Sequence, residues 1–340
     1  MRTVPLIVSL DTEEDNWHRS RSDVTVENIK AVTWQAKFFE RLGVRPTYFT
    51  SYHVAIDPCA ADVMREVGDG SRGEIGAHLH PWNTPPLSEA FVPRNSMAKN
   101  LPAELQLAKI RTLTAALQEA FGKPPTAFRA GRYGIGPDTV AALVACGYHV
   151  DSSVSPFVSL EPVDDGPTFV GAPIVPYRLA PGHDVREPVP DGPIIEMPLS
   201  YGFNRGPFRV FDPVQRLLEA APAWLHLPGI AARTGLVQRL SLSPEFTSAA
   251  DMLAVSARLL EHGARYLHIS WHTPSLKPGL SPFTATADDV QRLYASIEDY
   301  FDRLVSLTSF RFMTVSEAAD LVPCSARATS AAVAPQFRLT

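Results

Sequence analysis

Leu6-Ile7-Val8-Ser9-Leu10-Asp11-Thr12-Glu13-Glu14-Asp15 runs from a short apolar stretch straight into four acids. Residues 6–10 are apolar on both faces of an extended chain, which predicts a strand buried inside a sheet. Asp11 and Glu13 share one parity, so both side chains leave the strand end on the same side. Glu14 and Asp15 read as part of a solvated acidic loop.

Working outward, helical and extended patterns alternate. Residues 26–42 carry a helical stripe closed by Gly43, and 46–50 form a second strand. A third strand runs over 73–78, a helix over 102–121 up to Gly122, and a strand over 126–129. Pro137 opens a helix over 137–146, followed by a strand over 148–151. The pattern then breaks. Residues 156–244 hold fifteen of the thirty-one prolines and little periodicity beyond a short strand at 194–197 and a helix at 213–221. Alternation resumes with a helix at 249–262, a strand at 266–271 and a helix at 288–304.

Repeated strand–helix units predict an α/β protein with a parallel sheet, whose reactive residues gather at the C-terminal strand ends. The expected organisation is one domain over 1–322, its sheet closed into a barrel or doubly wound, with 156–246 as an insertion covering the active face. The tail, 323–340, is small, polar and free of acids, and is expected to be disordered.

Composition narrows the function classes. With 45% apolar residues and a net charge of -5 over 340 residues, the chain has the makings of a core and lacks the basic excess of a nucleic-acid binder. Cys59, Cys146 and Cys324 are odd in number and unpaired in spacing, which excludes a disulfide framework and fits a reducing compartment. The first apolar stretch is too short for a signal peptide, and no run of about 18 apolar residues occurs. A cytoplasmic protein with no membrane span is expected.

The strand ends carry the chemistry. His78 and His80 alternate by two, so both rings face one side and can hold one ion. Arg129 ends a strand and can pin a carboxylate through its planar fork. His272 ends the late strand and is placed to act as a general acid, whereas His268 lies deeper and reads as a core residue. Carboxylates and imidazoles converging on one barrel face suit metal-assisted hydrolysis.

Together these strand ends resemble the polysaccharide deacetylase (NodB-homology, carbohydrate esterase family 4-like) family, in an intracellular branch. The resemblance covers most of residues 4–321. It rests on Ser9-Leu10-Asp11-Thr12-Glu13-Glu14, on Gly73-Glu74-Ile75-Gly76-Ala77-His78-Leu79-His80, on Arg129-Ala130-Gly131-Arg132-Tyr133, on Asp151, and on Ser270-Trp271-His272-Thr273-Pro274-Ser275. The family's adjacent aspartates are separated here, leaving Glu13 or Glu14 as the carboxylate ligand, with parity favouring Glu13. Its histidine spacing of four is two here, with Trp82 at the usual second position.

The resemblance implies a deformed (β/α) barrel and a metal-dependent hydrolase that removes N-acetyl groups from a sugar or glycoconjugate. It implies a divalent ion, zinc first, held by Glu13, His78 and His80. Asp11 would be the general base, Arg129 its partner, His272 the general acid and Asp151 the group that sets its charge. Tyr133, Trp82 and Trp271 would contact substrate. The alternatives are a metal-free amidohydrolase of small amides on the same barrel, or an inactive carbohydrate-binding relative.

Overall fold

The computed structural model describes residues 3–15, 21–321 and 323–324. Its centre is a curled parallel sheet. In chain order it takes β1 (Val4–Thr12), β2 (Thr47–Thr50), β3 (Glu74–Leu79), β4 (Ala127–Ala130) and β5 (Val150–Asp151). Then come β6 (Tyr177–Leu179) and β7 (Ile194–Glu196), a separate two-stranded antiparallel sheet of β8 (Tyr201–Phe203) and β9 (Arg239–Ser241), and finally β10 (Leu267–His272) and β11 (Phe310–Met313). The spatial order is β10-β1-β2-β3-β4-β5-β7-β6, with β11 beside the first half of β1. Within this sheet all pairings are parallel except β6 with β7. The edges β10 and β6 do not pair with each other, so the barrel is open, the deformed (β/α) barrel that the strand ends implied.

Helices wrap the outside: α1 (Val32–Leu42), α2 (Tyr52–Ile56), α3 (Pro58–Val67), α4 (Ala103–Phe121), α5 (Pro137–Ala145), α6 (Phe208–Glu219), α7 (Leu227–Arg233), α8 (Ala249–Glu261), α9 (Ala287–Leu304) and α10 (Val315–Leu321). Gly43 and Gly122 end α1 and α4 in the left-handed conformation, as their positions predicted. The helix read at 213–221 begins earlier, at Phe208, with Pro213 inside it.

Strand alternation divides the core. Leu6, Val8 and Leu10 join Tyr48, Leu79 and the helix layer. Ile7 joins Phe49, Ala127, Val150, Met197, Tyr266 and Met313 in a smaller apolar plug. Ser9 and Asp11 have the parity of Ile7, so polar groups sit along β1 above that plug.

The proline-rich stretch is built into the sheet. β7 lies parallel to β5, and β6 forms the antiparallel edge, where residues without an N–H are tolerated. The tail expected to be disordered falls, beyond Cys324, outside the described residues.

Candidate active site

Four strands of the sheet, β10, β1, β3 and β4, deliver the polar groups. Register places Asp11 beside His272 across β1 and β10, and His78 beside Arg129 across β3 and β4. Asp11, Glu13, His78, His80, His272, Trp82 and Tyr133 all line one cavity of about 360 Å³.

The four acids after β1 divide the work. Asp11 Oδ1 accepts from Arg129 Nη1 at 2.6 Å, while Oδ2 lies 3.9 Å from His78 Nε2 and 3.7 Å from His272 Nε2. Burial would raise this carboxyl, but Arg129, His78 and His272 outweigh it and hold the group well below the usual carboxylate range. Arg129 is itself fully buried. It also donates to the Ser152 carbonyl and hydroxyl and to Ser9 Oγ, with Phe49 under its guanidinium at 4.2 Å.

Glu13 turns to the histidines: its Oε2 is 3.3 Å from His78 Nε2 and 3.0 Å from His80 Nε2. Glu14 turns behind them, taking the His80 Nδ1–H at 2.6 Å and the Ser51 hydroxyl at 2.9 Å. Asp15 locks the loop in place by accepting the backbone N–H groups of Glu27 and Asn28 at 2.8 and 2.9 Å. The expectation of a solvated loop for Glu14 and Asp15 is therefore corrected. Both are buried, because each has donors enough to replace water.

Glu13, His78 and His80 form a group whose ligand atoms lie within 4.8 Å of one another. The donor chemistry fits a divalent ion. His78 Nδ1–H donates to the Arg129 carbonyl at 3.1 Å, and His80 Nδ1–H donates to Glu14. Both rings are thus fixed in orientation with Nε2 turned toward Glu13, and a carboxylate behind a ligand histidine is a common support for metal sites. Gly131 allows this packing: a Cβ there would come within 2.5 Å of the Leu79 carbonyl and 2.6 Å of the His80 ring.

His272 has a partner that sequence reasoning missed. The fully buried side chain of Glu245 accepts its Nδ1–H at 2.8 Å. Burial would lower this imidazole, but Glu245 overrides it and raises His272 to about 9. Asp151, expected in this role, is engaged elsewhere. It accepts the Ser153 hydroxyl at 2.7 Å and N–H at 3.1 Å, and stands in register with the equally buried Glu196. Burial raises both carboxyls, and the Asp151 charge pushes Glu196 further. Glu245 sits in a loop 27 residues before His272, with no periodic or motif signal to mark it.

Trp82 stacks on His80 at 4.1 Å and lines the cavity, as does Tyr133. Trp271 does not. It alternates to the opposite face of β10 from His272, and its buried ring packs on Phe39 of α1 at 5.9 Å. His268 is a buried core residue, 2.8 Å from Ser9 Oγ.

No family model and no curated protein matches the sequence. Solved structures do. A protein from Parabacteroides distasonis, described provisionally as a glycoside hydrolase/deacetylase, superposes with a TM-score of 0.60 at 12% identity, over 94% of this chain and 71% of that one. A protein from Mycobacterium smegmatis, described provisionally as a polysaccharide deacetylase, gives a TM-score of 0.50 at 14% identity, over 88% of this chain and 79% of that one. The chain has the deacetylase-type barrel fold. At such identities the likeness speaks for the fold, and the chemistry rests on the side chains that this barrel gathers. No helix among the described residues is long and apolar enough to cross a membrane.

Proposed function

We propose that this chain is a metal-dependent hydrolase of amide C–N bonds, removing the N-acetyl group from an N-acetylated sugar or glycoconjugate. The observation that carries the reading is the placement of Asp11 Oδ2 and His272 Nε2, 3.7 Å apart, beside Glu13, His78 and His80. A base and an acid flank a ready-made ligand set. The fold shared with proteins described as deacetylases supports the same reading.

Glu13, His78 and His80 would hold the ion, and one carboxylate oxygen with two imidazole nitrogens suits zinc. When bound, such an ion polarises a carbonyl and makes water more acidic. Asp11, kept ionised by Arg129, takes the proton from the attacking water on Oδ2 while Oδ1 stays pinned. The water oxygen joins the acetyl carbon and the C–N bond breaks. His272 donates its Nε2 proton to the departing nitrogen, which leaves as an amine. Glu245 keeps that ring oriented and charged. The paired left-handed residues Arg132 and Tyr133, at φ 53° and 56°, shape the cavity wall where substrate is gripped. Free Cys59, Cys146 and Cys324 support a cytoplasmic setting.

The deciding experiment is acetate release from N-acetylated sugar conjugates by zinc-loaded protein, with and without chelator, and with Asp11→Asn as the blank. Release that chelator abolishes and zinc restores supports the reading. Release indifferent to chelator removes the metal from it, and no release from any conjugate removes the activity.

A further inference from the structure

The wall of the cavity above the ligand set is apolar. Trp82, Met97, Leu160, Val163 and Phe246 line it, and two of them remain open to solvent, Val163 at 45% and Phe246 at 60% exposure. These residues come from four separate segments, so the wall is assembled by the fold and is not the edge of one element.

The wall is also held in place. Leu160 and Val163 precede a turn in which Asp164 and Asp165 both adopt left-handed backbone, each at φ 55°. Arg132 Nη1 pairs with Asp164 at 2.7 Å, and Arg94 Nη2 pairs with Asp165 at 2.8 Å. Lys99 Nζ donates to the Asp165 carbonyl at 2.7 Å, and Asn100 Nδ2 donates to the Asp164 carbonyl at 2.9 Å. Two ion pairs and two further hydrogen bonds thus fix a turn of unfavourable backbone geometry, and its effect is to present two aliphatic side chains over the site.

The same contacts engage the arginine of the cavity wall. Arg132 is the only lysine or arginine among the described lining residues, and it is committed to Asp164 and the Ser96 hydroxyl. A nucleotide-linked sugar would bring a diphosphate to a cavity whose described lining holds no lysine or arginine besides the paired Arg132, and whose His272 is already engaged by Glu245. A hydroxyl-rich polymer would lay polar groups against five apolar side chains and lose hydration without new hydrogen bonds.

Resting on the deacetylase reading, we propose that the substrate is an N-acetylated sugar bearing an apolar aglycone, alkyl or aryl, which lies against Trp82, Met97, Leu160, Val163 and Phe246 while the amide sits at Asp11 and His272.

The test compares hexyl N-acetyl-β-glucosaminide with free N-acetylglucosamine and its tetramer, using zinc-loaded wild-type protein and Val163→Asp. Val163 is exposed, so the variant is expected to fold. The expected result is a kcat/KM at least about tenfold higher for the hexyl glycoside, the worth of burying a few methylenes, and a ratio that shrinks several-fold in Val163→Asp. Calorimetric titration of Asp11→Asn with the hexyl glycoside adds a readout independent of turnover, and tighter binding than the free sugar with a negative heat-capacity change is expected. Equal kcat/KM on all three sugars, or a ratio unmoved by Val163→Asp, overturns the inference and leaves the deacetylase reading standing. Turnover of none of them, with the hexyl glycoside still bound preferentially, overturns the deacetylase reading and leaves the apolar subsite. Neither turnover nor preferential binding overturns both.

Discussion

Glu245 receives both the ring Nδ1–H and the backbone N–H of His272, at 2.8 and 3.3 Å, and the hydroxyl of Ser275 as well. One buried carboxylate therefore sets the tautomer, orientation and charge of the proposed acid. Without it, burial would work against the charged ring, opposed only by the weaker pull of Glu13 and Asp11.

Glu245→Gln keeps the shape of the pair and removes its charge. The expected outcome is a fall in kcat of about 10²-fold. The alkaline limb of the pH–rate profile should also move to lower pH; an unmoved limb would detach Glu245 from His272 chemistry. Stability should follow the same ionisation. Folding raises His272 from about 6.5 to about 9, so the contribution is complete below about pH 6.5 and lost as pH rises through about 9. Melting curves of wild type and variant should differ most near pH 6 and converge in alkaline buffer.

Asp11→Asn and Asp11→Ala separate chemistry from packing. Asparagine still offers Arg129 an acceptor oxygen, so a fold close to wild type with kcat lowered by about 10²–10⁴ is expected. Alanine leaves the buried guanidinium short of one partner and should cost about 3 kcal/mol in denaturant unfolding. The low end of the usual range applies because Ser9 and Ser152 still accept from Arg129. Full turnover in Asp11→Asn would falsify its role as base.

Glu14→Gln tests the support behind His80. The three proposed ligands remain in this variant, so zinc binding should survive with affinity reduced about 10–100-fold. Competition with a chromophoric chelator measures it. His78→Ala, which removes a ligand outright, should lose binding in the same assay, and equal effects from the two substitutions would contradict the division of labour between Glu13 and Glu14.

Gly131→Ala places a methyl against the Leu79 carbonyl and the His80 ring. The carbonyl clash forces β3 and β4 apart and the ring clash pushes His80 away from Glu13. Zinc affinity and thermal stability are both expected to fall, which metal titration and circular dichroism measure.

Much of the fold was legible because its signals are local. The apolar run of β1, the glycines ending α1 and α4, and the alternation of His78 with His80 each follow from residues a few positions apart. The helices α2 and α3 escaped reading, since a short five-residue helix and a helix begun by Asp57 and Pro58 offer little periodicity. Trp271 was misplaced although the rule that places it, alternation relative to His272, was already available.

By itself, the sequence determined that acids and histidines end parallel strands, because a strand's period of two settles which side chains share a face. Only the tertiary structure decided what those residues meet. Whether Glu13 or Glu14 faces both histidines, whether Asp151 or Glu245 backs His272, and that an apolar wall closes over them all depend on loops far apart in sequence. Such contacts are selected by burial and by the need to satisfy each buried charge, and neither condition leaves a periodic mark on the chain.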